Sequence, residues 1–230
     1  MIALSKKIDF AVIVTVNHAN PNGDPLTGNR PRVTYEGLGE ISDVAIKRKI
    51  RNRLMNMGKK IFVQSDDNRE EGDEYRSLIA RAKAKITIDP KKDEEYRNAA
   101  CEQWLDVRAF GQVFPIKGAS KGQGASIGIR GPVSIHNAFS VTKVENRMTS
   151  IQITKSVSTA EGKEGDAGKR ASDTMGMKHR VDHGVYVFYG SMNPQLATKT
   201  GFSDDDAKAI KEAIRTLFVN DASSARPEGS

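Results

Sequence analysis

Cysteine is almost absent from this chain of 230 residues: Cys101 stands alone, which excludes an internal disulfide and a cysteine-based zinc site. Long apolar runs are missing too. The longest, Phe10 to Val16, already contains Thr15 and falls far short of the roughly 20 apolar residues of a membrane helix. The first residues, Met1 to Leu4 and then Lys6 and Lys7, enter that run with no small-residue cleavage site. A Walker phosphate loop is lacking, since no Gly-Lys-Ser/Thr follows a glycine at the required spacing, and this argues against ATP. No internal repeat is visible. Hydrophobic residues make up 37% and the mean hydropathy is -0.53. These features predict a soluble, cytoplasmic protein of a reducing compartment, with no segment that spans a membrane. The length suits one large domain or a small one with insertions, at roughly 150 residues per domain.

What the sequence does have is segregated charge. The net +7 splits into +6 over residues 1–60, -3 over 61–108, +5 over 109–155 and -1 over 156–230. Two basic segments flanking an acidic one imply a patterned surface for an anionic partner. Nucleic acid, an acidic protein or an anionic membrane surface all fit.

Residues 8–17 are apolar on both faces (Ile8, Phe10, Val12, Val14 and Val16 against Ala11, Ile13 and Thr15), and read as a central strand covered on both sides. From His18 to Ile41, Asn20-Pro21-Asn22-Gly23-Asp24-Pro25, Gly28-Asn29, Pro31, Gly37 and Gly39 mark turns, so a long irregular loop is expected there. Ser42 or Asp43 then caps a helix that Gly58 stops. Ile46, Ile50, Leu54 and Met57 form its apolar face. Its remaining positions, Lys47, Arg48, Lys49, Arg51, Asn52 and Arg53, are cationic or polar with only Asp43 opposing them. With no i,i+4 acid among them, these cations repel unless an outside anion neutralises them.

Further along, Ile61–Val63 reads as a short strand and residues 74–85 as a weak helix. A helix from Asp93 to Val107 carries Tyr96, Ala99, Ala100, Gln103, Trp104 and Val107 on one stripe, with Trp104 as core. Glycines 118, 122, 124, 128 and 131 punctuate Lys117, Lys121 and Arg130; such backbone can present N–H groups to phosphate. Strands are expected over 133–141, 148–157 and 185–189, and a last helix after Ser203, with Asp204, Asp205 and Asp206 in its first turn. The order of elements best matches an α+β, ferredoxin-like βαββαβ core of the kind seen in RNA-recognition modules, with the final strand missing.

Several segments together resemble one family. They are Asn20-Pro21-Asn22-Gly23-Asp24-Pro25, Gly28-Asn29-Arg30-Pro31-Arg32, Ser42 to Asn52, Phe110-Gly111, Gly128-x-Arg130-Gly131-Pro132-Val133 and Thr174-Met175-Gly176-x-Lys178-His179. The chain is similar to the Cas-seven proteins, the repeated backbone subunit of CRISPR Cascade complexes, most closely those of type I-C. The resemblance implies an RRM-like palm with a finger and a thumb inserted. Residues 1–60 would be the first half of the palm, 61–108 the finger, 109–157 palm strands, 158–182 the thumb, and 183–230 a palm strand and helix. Its partners would be CRISPR RNA, target DNA, copies of itself in a helical filament and other Cascade subunits, with no cofactor and no metal. The implied RNA contacts are Asn20, Asn22, Arg30, Arg32, Lys47, Arg48, Lys49, Arg51, Asn52, Lys117, Lys121, Arg130, Lys155, Met175, Met177, Lys178 and His179. Met175, Met177 and His179 would wedge at a flipped nucleotide; packing in a core is the alternative for the two methionines.

A metal-dependent ribonuclease is the main rival, with Asp24 as its acid, and a free-standing RNA-binding module is a third reading. Asp24 lies in Asn-Gly-Asp-Pro, where a turn role is the commoner one, and no paired-carboxylate spacing accompanies it. His179-x-x-x-His183 has metal-like spacing only on a helix, which Gly184 and the following strand argue against.

Overall fold

The computed structural model describes residues 2–66, 68–116, 125–155 and 174–226. Lys117 and Lys121 lie outside them, as do the residues between 156 and 173. The described chain is a mixed α+β structure built on an antiparallel sheet. Six strands share that sheet: β1 (Ile8–Ala19), β4 (Leu38–Ile41), β7 (Val133–Ile135), β8 (Ala138–Lys143), β9 (Met148–Lys155) and β10 (Thr174–Met192). Their order is β1-β10-β8-β4, with β7 and β9 also paired to β10. The pairs of β10 with β7, β8 and β9, and of β4 with β8, are antiparallel.

The position of β1 corrects one expectation. It ends the strand order, and only one face is covered: Val14 and Val16 are buried whereas Ile13 is 71% exposed. The segment after it is not wholly irregular. It holds β2 (Gly23–Asp24), a 3-10 turn over Pro25–Thr27, β3 (Arg30–Pro31) and then β4. Strand β10 is also far longer than residues 185–189 suggest, because the polar run 174–181 pairs residue by residue with β9.

By contact the chain divides into two units. One comprises 1–12, 43–137 and 188–221. Its helices are α1 (Asp43–Asn56), α2 (Leu78–Lys85), α3 (Asp93–Gln103), α4 (Leu105–Phe110), α5 (Pro194–Thr200) and α6 (Asp204–Arg215), and it contains the hairpin β5 (Gly111–Ile116) with β6 (Ala125–Arg130). Phe62, Tyr96, Ala100, Trp104, Phe114 and Ile127 form a core among them. Phe62 packs against Trp104 at 4.5 Å and against Phe114 at 5.2 Å between ring centroids.

That core explains two departures from the sequence pattern. The expected helix 93–107 breaks at Trp104, whose backbone turns extended, because the next N–H (Leu105) donates to the Lys60 carbonyl at 3.0 Å instead of continuing the helix. Ile61–Val63 forms no strand, since the N–H groups of Phe62 and Val63 donate to the Asp106 carboxylate at 2.7 and 3.1 Å. Expected caps do form. Ser203 accepts from the Asp206 N–H and Asp206 accepts from the Ser203 N–H, a reciprocal box at the start of α6. Helix α5, which the sequence pattern missed, starts at an Asn193 cap followed by Pro194 and stops at Gly201 in the left-handed region.

The second unit comprises 13–42, 138–187 and 222–230. It holds β2, β3, β4, β8, β9 and most of β10. Gly39 fits here for lack of a side chain: a Cβ would stand 2.3 Å from the Tyr186 hydroxyl.

Candidate nucleic-acid interface

Three of the α1 cations, Lys47, Lys49 and Arg51, face acids inside the fold, which corrects the inference that all of them need an outside anion. Lys47 pairs with Asp43 at 2.9 Å, one helical turn back. Lys49 is buried, paired with Asp221, and lies 5.3 Å from the centroid of the Phe218 ring. Arg51 Nε donates to Asp106 at 2.9 Å, and its guanidinium lies 5.1 Å from the Phe110 centroid. Arg48 donates to the Val63 carbonyl at 2.7 Å, and Arg53 to the Thr216 hydroxyl at 2.8 Å. The Lys47–Asp43 pair is an i,i+4 contact, which corrects the reading that the helix has none, whereas the acids facing Lys49 and Arg51 come from positions 221 and 106, beyond any helical spacing rule. Lys49 is buried and the Arg51 side chain is 13% exposed, each set beside its acid. Asn52 keeps a buried Oδ1 without a hydrogen-bond partner. Arg130, at the end of β6, is exposed opposite Gly111, which has φ +83°.

In the second unit, the asparagines of the segment after β1 mostly build the segment itself. Asn20 is buried and donates from Nδ2 to the Asn29 carbonyl at 2.7 Å, leaving its Oδ1 without a partner. Asn22 Oδ1 accepts from both the N–H and the hydroxyl of Ser42 at 3.0 Å. Asp24 caps the 3-10 turn by accepting from the Leu26 N–H at 3.1 Å, and it stands 3.5 Å from Arg32. Arg32 is half-buried, with an unpartnered Nε. Arg30 is exposed on β3.

Strands β9 and β10 form a two-stranded ribbon over 148–155 and 174–181. Strand alternation sorts its side chains. Met177 opposes Gln152 and His179 opposes Ser150, so these share a face with position 175, whereas Lys178 opposes Ile151 and Gly176 opposes Ile153 on the other. Met177 is 55% exposed, and Ile151 and Ile153 are more than a third exposed, so this methionine is not core. Positions 155 and 175 are placed only by their backbone register, Lys155 opposite Thr174 and Met175 opposite Thr154. His179 Nδ1 meets the Ser150 hydroxyl at 2.8 Å, and His183 Nδ1 meets Asn17 at 2.7 Å. Four residues of strand separate the two histidines by roughly 13 Å, so they do not share a metal. No group of three or more His, Cys, Asp or Glu that could hold a metal occurs among the described residues.

The base of the ribbon is pinned by a residue that sequence reasoning missed. Asp182 accepts from the Thr149 hydroxyl at 2.5 Å and from Arg180 Nε at 3.1 Å, and lies 3.4 Å from His18 Nδ1. The Thr149 bond, with help from Arg180 and His18, holds its carboxyl below the usual range. His18 itself adopts φ +49°, uncommon for a residue with a side chain. The only sequence signal for this site is the Asp182-His183 pair before the strong strand.

Elsewhere the titrating groups are structural. Burial pushes the lone Cys101 thiol up to about 11, against the opposing charge of Arg108, so it is not a reactive thiolate. No helix among the described residues is long and apolar enough to cross a membrane.

The family model described as CRISPR-associated protein Cas7 matches residues 6–230. A curated CRISPR-associated protein Cas7 of Haloferax volcanii is 27% identical over 231 residues, covering 94% of this chain. The chain spans 65% of that relative's length. A chain from a solved CRISPR RNA-guided surveillance complex, pre-nicking, shares the fold with a TM-score of 0.51 at 18% identity, over 96% of this chain and 76% of that one. Because the family model runs from before β1 to the last residue, the chain belongs to the family of CRISPR-associated protein Cas7.

Proposed function

We propose that this chain is a non-catalytic, guide-RNA-binding backbone subunit of a cytoplasmic type I-C Cascade. Copies polymerise along the spacer of the CRISPR RNA and present it for pairing with target DNA, beside other Cascade subunits. The observation that carries this reading is the β9–β10 ribbon, which shows Met177 and His179 on one face and Lys178 on the other. Apolar and flat groups part neighbouring bases, while cations hold phosphates without reading sequence. That combination suits a sheath that accepts any guide. Arg30 and Arg130, both exposed, extend the set of phosphate contacts, and Lys47 at the start of α1 adds a partly exposed cation. In this reading residues 158–182, which include the β10 half of the ribbon, belong to the thumb, residues 61–108 to the finger, and residues 109–157 with the rest of the main sheet to an RRM-like palm.

The turn role of Asp24, which caps Leu26 and faces Arg32, supports a scaffold over a nuclease. Electron microscopy of the protein on guides of several lengths tests the reading. Occupancy growing with RNA length at a fixed nucleotide step is expected, with the RNA left intact in magnesium. A single bound copy at every length, or cleavage lost in Asp24→Ala, overturns it.

A further inference from the structure

Neither a guide-binding ribbon nor the core accounts for two features of this chain, a fully exposed aromatic turn and an open apolar groove. The turn spans Thr34 to Gly37. The Thr34 N–H donates to the Leu38 carbonyl at 2.7 Å, the Leu38 N–H to the Thr34 hydroxyl at 3.2 Å, and the Gly37 N–H to the Thr34 carbonyl at 3.0 Å. Gly37, at φ +84°, makes the tight reversal possible. This bracing holds Tyr35 and Glu36 out at the tip, with Tyr35 at 107% relative exposure. A large amphipathic ring with only two side-chain torsions, carried on a braced turn, loses little freedom when it binds, which is why tyrosine is favoured at the centre of interfaces.

The groove belongs to the first unit and measures about 620 Å³. Leu78 and Ile79 of α2, Tyr96 of α3, and Val113 and Phe114 of β5 line it, and Lys83 and Lys91 stand at its edge. Ile79 and Val113 are 42% and 58% exposed. Among the described residues, Glu36, Lys83 and Lys91 make no ion pair. The turn offers an aromatic ring beside one carboxylate; the groove offers an apolar wall beside two ammonium groups and the Asp89 carboxylate, an excess of one positive charge.

We propose that the Tyr35–Glu36 turn of one copy seats in the α2–β5 groove of the next copy. The Tyr35 ring lies against Leu78 and Val113, and Glu36 faces Lys83 and Lys91. Because the two halves of the contact are different patches of the same chain, the association is head-to-tail and adds copies in one direction instead of pairing two in a symmetric dimer. The inference rests on the reading of the chain as a polymerising subunit and assigns the contact that joins its copies.

Charge reversal tests it in the whole chain. Glu36→Lys reverses the tip, and Lys83→Glu with Lys91→Glu reverses the groove; all three positions are exposed, so folding persists. Assembly on long guide RNA is followed by mass photometry, and affinity for an RNA too short to hold two copies by fluorescence anisotropy. Each variant alone, and Tyr35→Ala, raises the concentration needed for assembly by about 30-fold, the loss typical of a hot-spot residue. Short-RNA affinity stays within about threefold. Equimolar mixing of the tip and groove variants restores assembly, since the reversed tip meets the reversed groove and the native tip meets the native groove. Wild-type assembly by every single variant overturns the contact, as does a mixture that fails to recover. Tip variants that lose short-RNA affinity while still assembling place the turn on nucleic acid and overturn it too. Failure of the unaltered chain to bind or assemble on RNA strikes the proposed function instead.

Discussion

Asp106 is the point where the basic helix, the segment after it and α4 are joined, and its removal gives the sharpest test of how the charges of α1 are used. The carboxylate is 1% exposed and accepts three bonds: from the Phe62 N–H at 2.7 Å, the Val63 N–H at 3.1 Å and Arg51 Nε at 2.9 Å. In Asp106→Ala the buried Phe62 N–H loses its acceptor and the Arg51 guanidinium loses its counter-charge. Breaking a buried pair from one side costs about 3–5 kcal/mol, against a total stability of about 5–15 kcal/mol for a typical domain. With a urea slope of about 2 kcal/mol per molar, the midpoint falls by roughly 2 M. Trp104 is the reporter, since it is the only tryptophan and packs on Phe62 at 4.5 Å. The pairing partner provides the control. Arg51→Met in the Asp106→Ala background recovers part of the loss, whereas Lys47→Ala, which breaks the more exposed pair with Asp43, costs under about 1 kcal/mol. A midpoint shift below about 0.5 M in Asp106→Ala refutes the internal pairing of Arg51 and returns that cation to the candidate RNA surface.

Three further outcomes follow from local geometry. Burial alone would raise the Asp206 pKa, but the bonds from Arg108 at 2.7 and 2.9 Å and from the Ser203 N–H outweigh it and hold the carboxyl below its ordinary 3.8. Its contribution is therefore fully present above about pH 4 and is lost as acid titrates the folded carboxylate; Asp206→Asn flattens the acid limb of stability against pH, and an unchanged limb refutes this. The Tyr186 hydroxyl is buried with no hydrogen-bond partner among the described residues, so Tyr186→Phe should leave stability unchanged or raise it by about 1 kcal/mol, while a loss larger than 1 kcal/mol in chemical denaturation refutes this. Gly111→Ala puts a Cβ 2.3 Å from the Ile129 carbonyl at φ +83°, and should disrupt the β5–β6 pairing, read as faster hydrogen exchange at 127–129; wild-type protection there would count against it.

The local signals were legible where a single segment contains its own reason. The apolar face of α1, the stop at Gly58 and the cap and acidic first turn of α6 all depend on neighbours within a turn. Trp104 reads as core and is core. The ribbon half of β10 was not legible, because Thr174 to Arg180 is polar and becomes a strand only through its ladder to β9. The same holds for the candidate site. Alternation put positions 175, 177 and 179 on one face as soon as the strand was known, but the Asp182 anchor needs Thr149 and His18, which lie far off in sequence.

Residue order alone carries a family, an α+β make-up and an excess of positive charge in two segments. Those follow from composition, from motifs and from periodicities that act over a few residues. Which of those charges have an acid beside them depends on the folded arrangement. Lys49 and Arg51 find Asp221 and Asp106 across 172 and 55 residues of chain, and a buried cation is stable only when such a partner is brought beside it. Charge along a chain is additive, whereas its neutralisation depends on distance in space, and that distance is set by the fold.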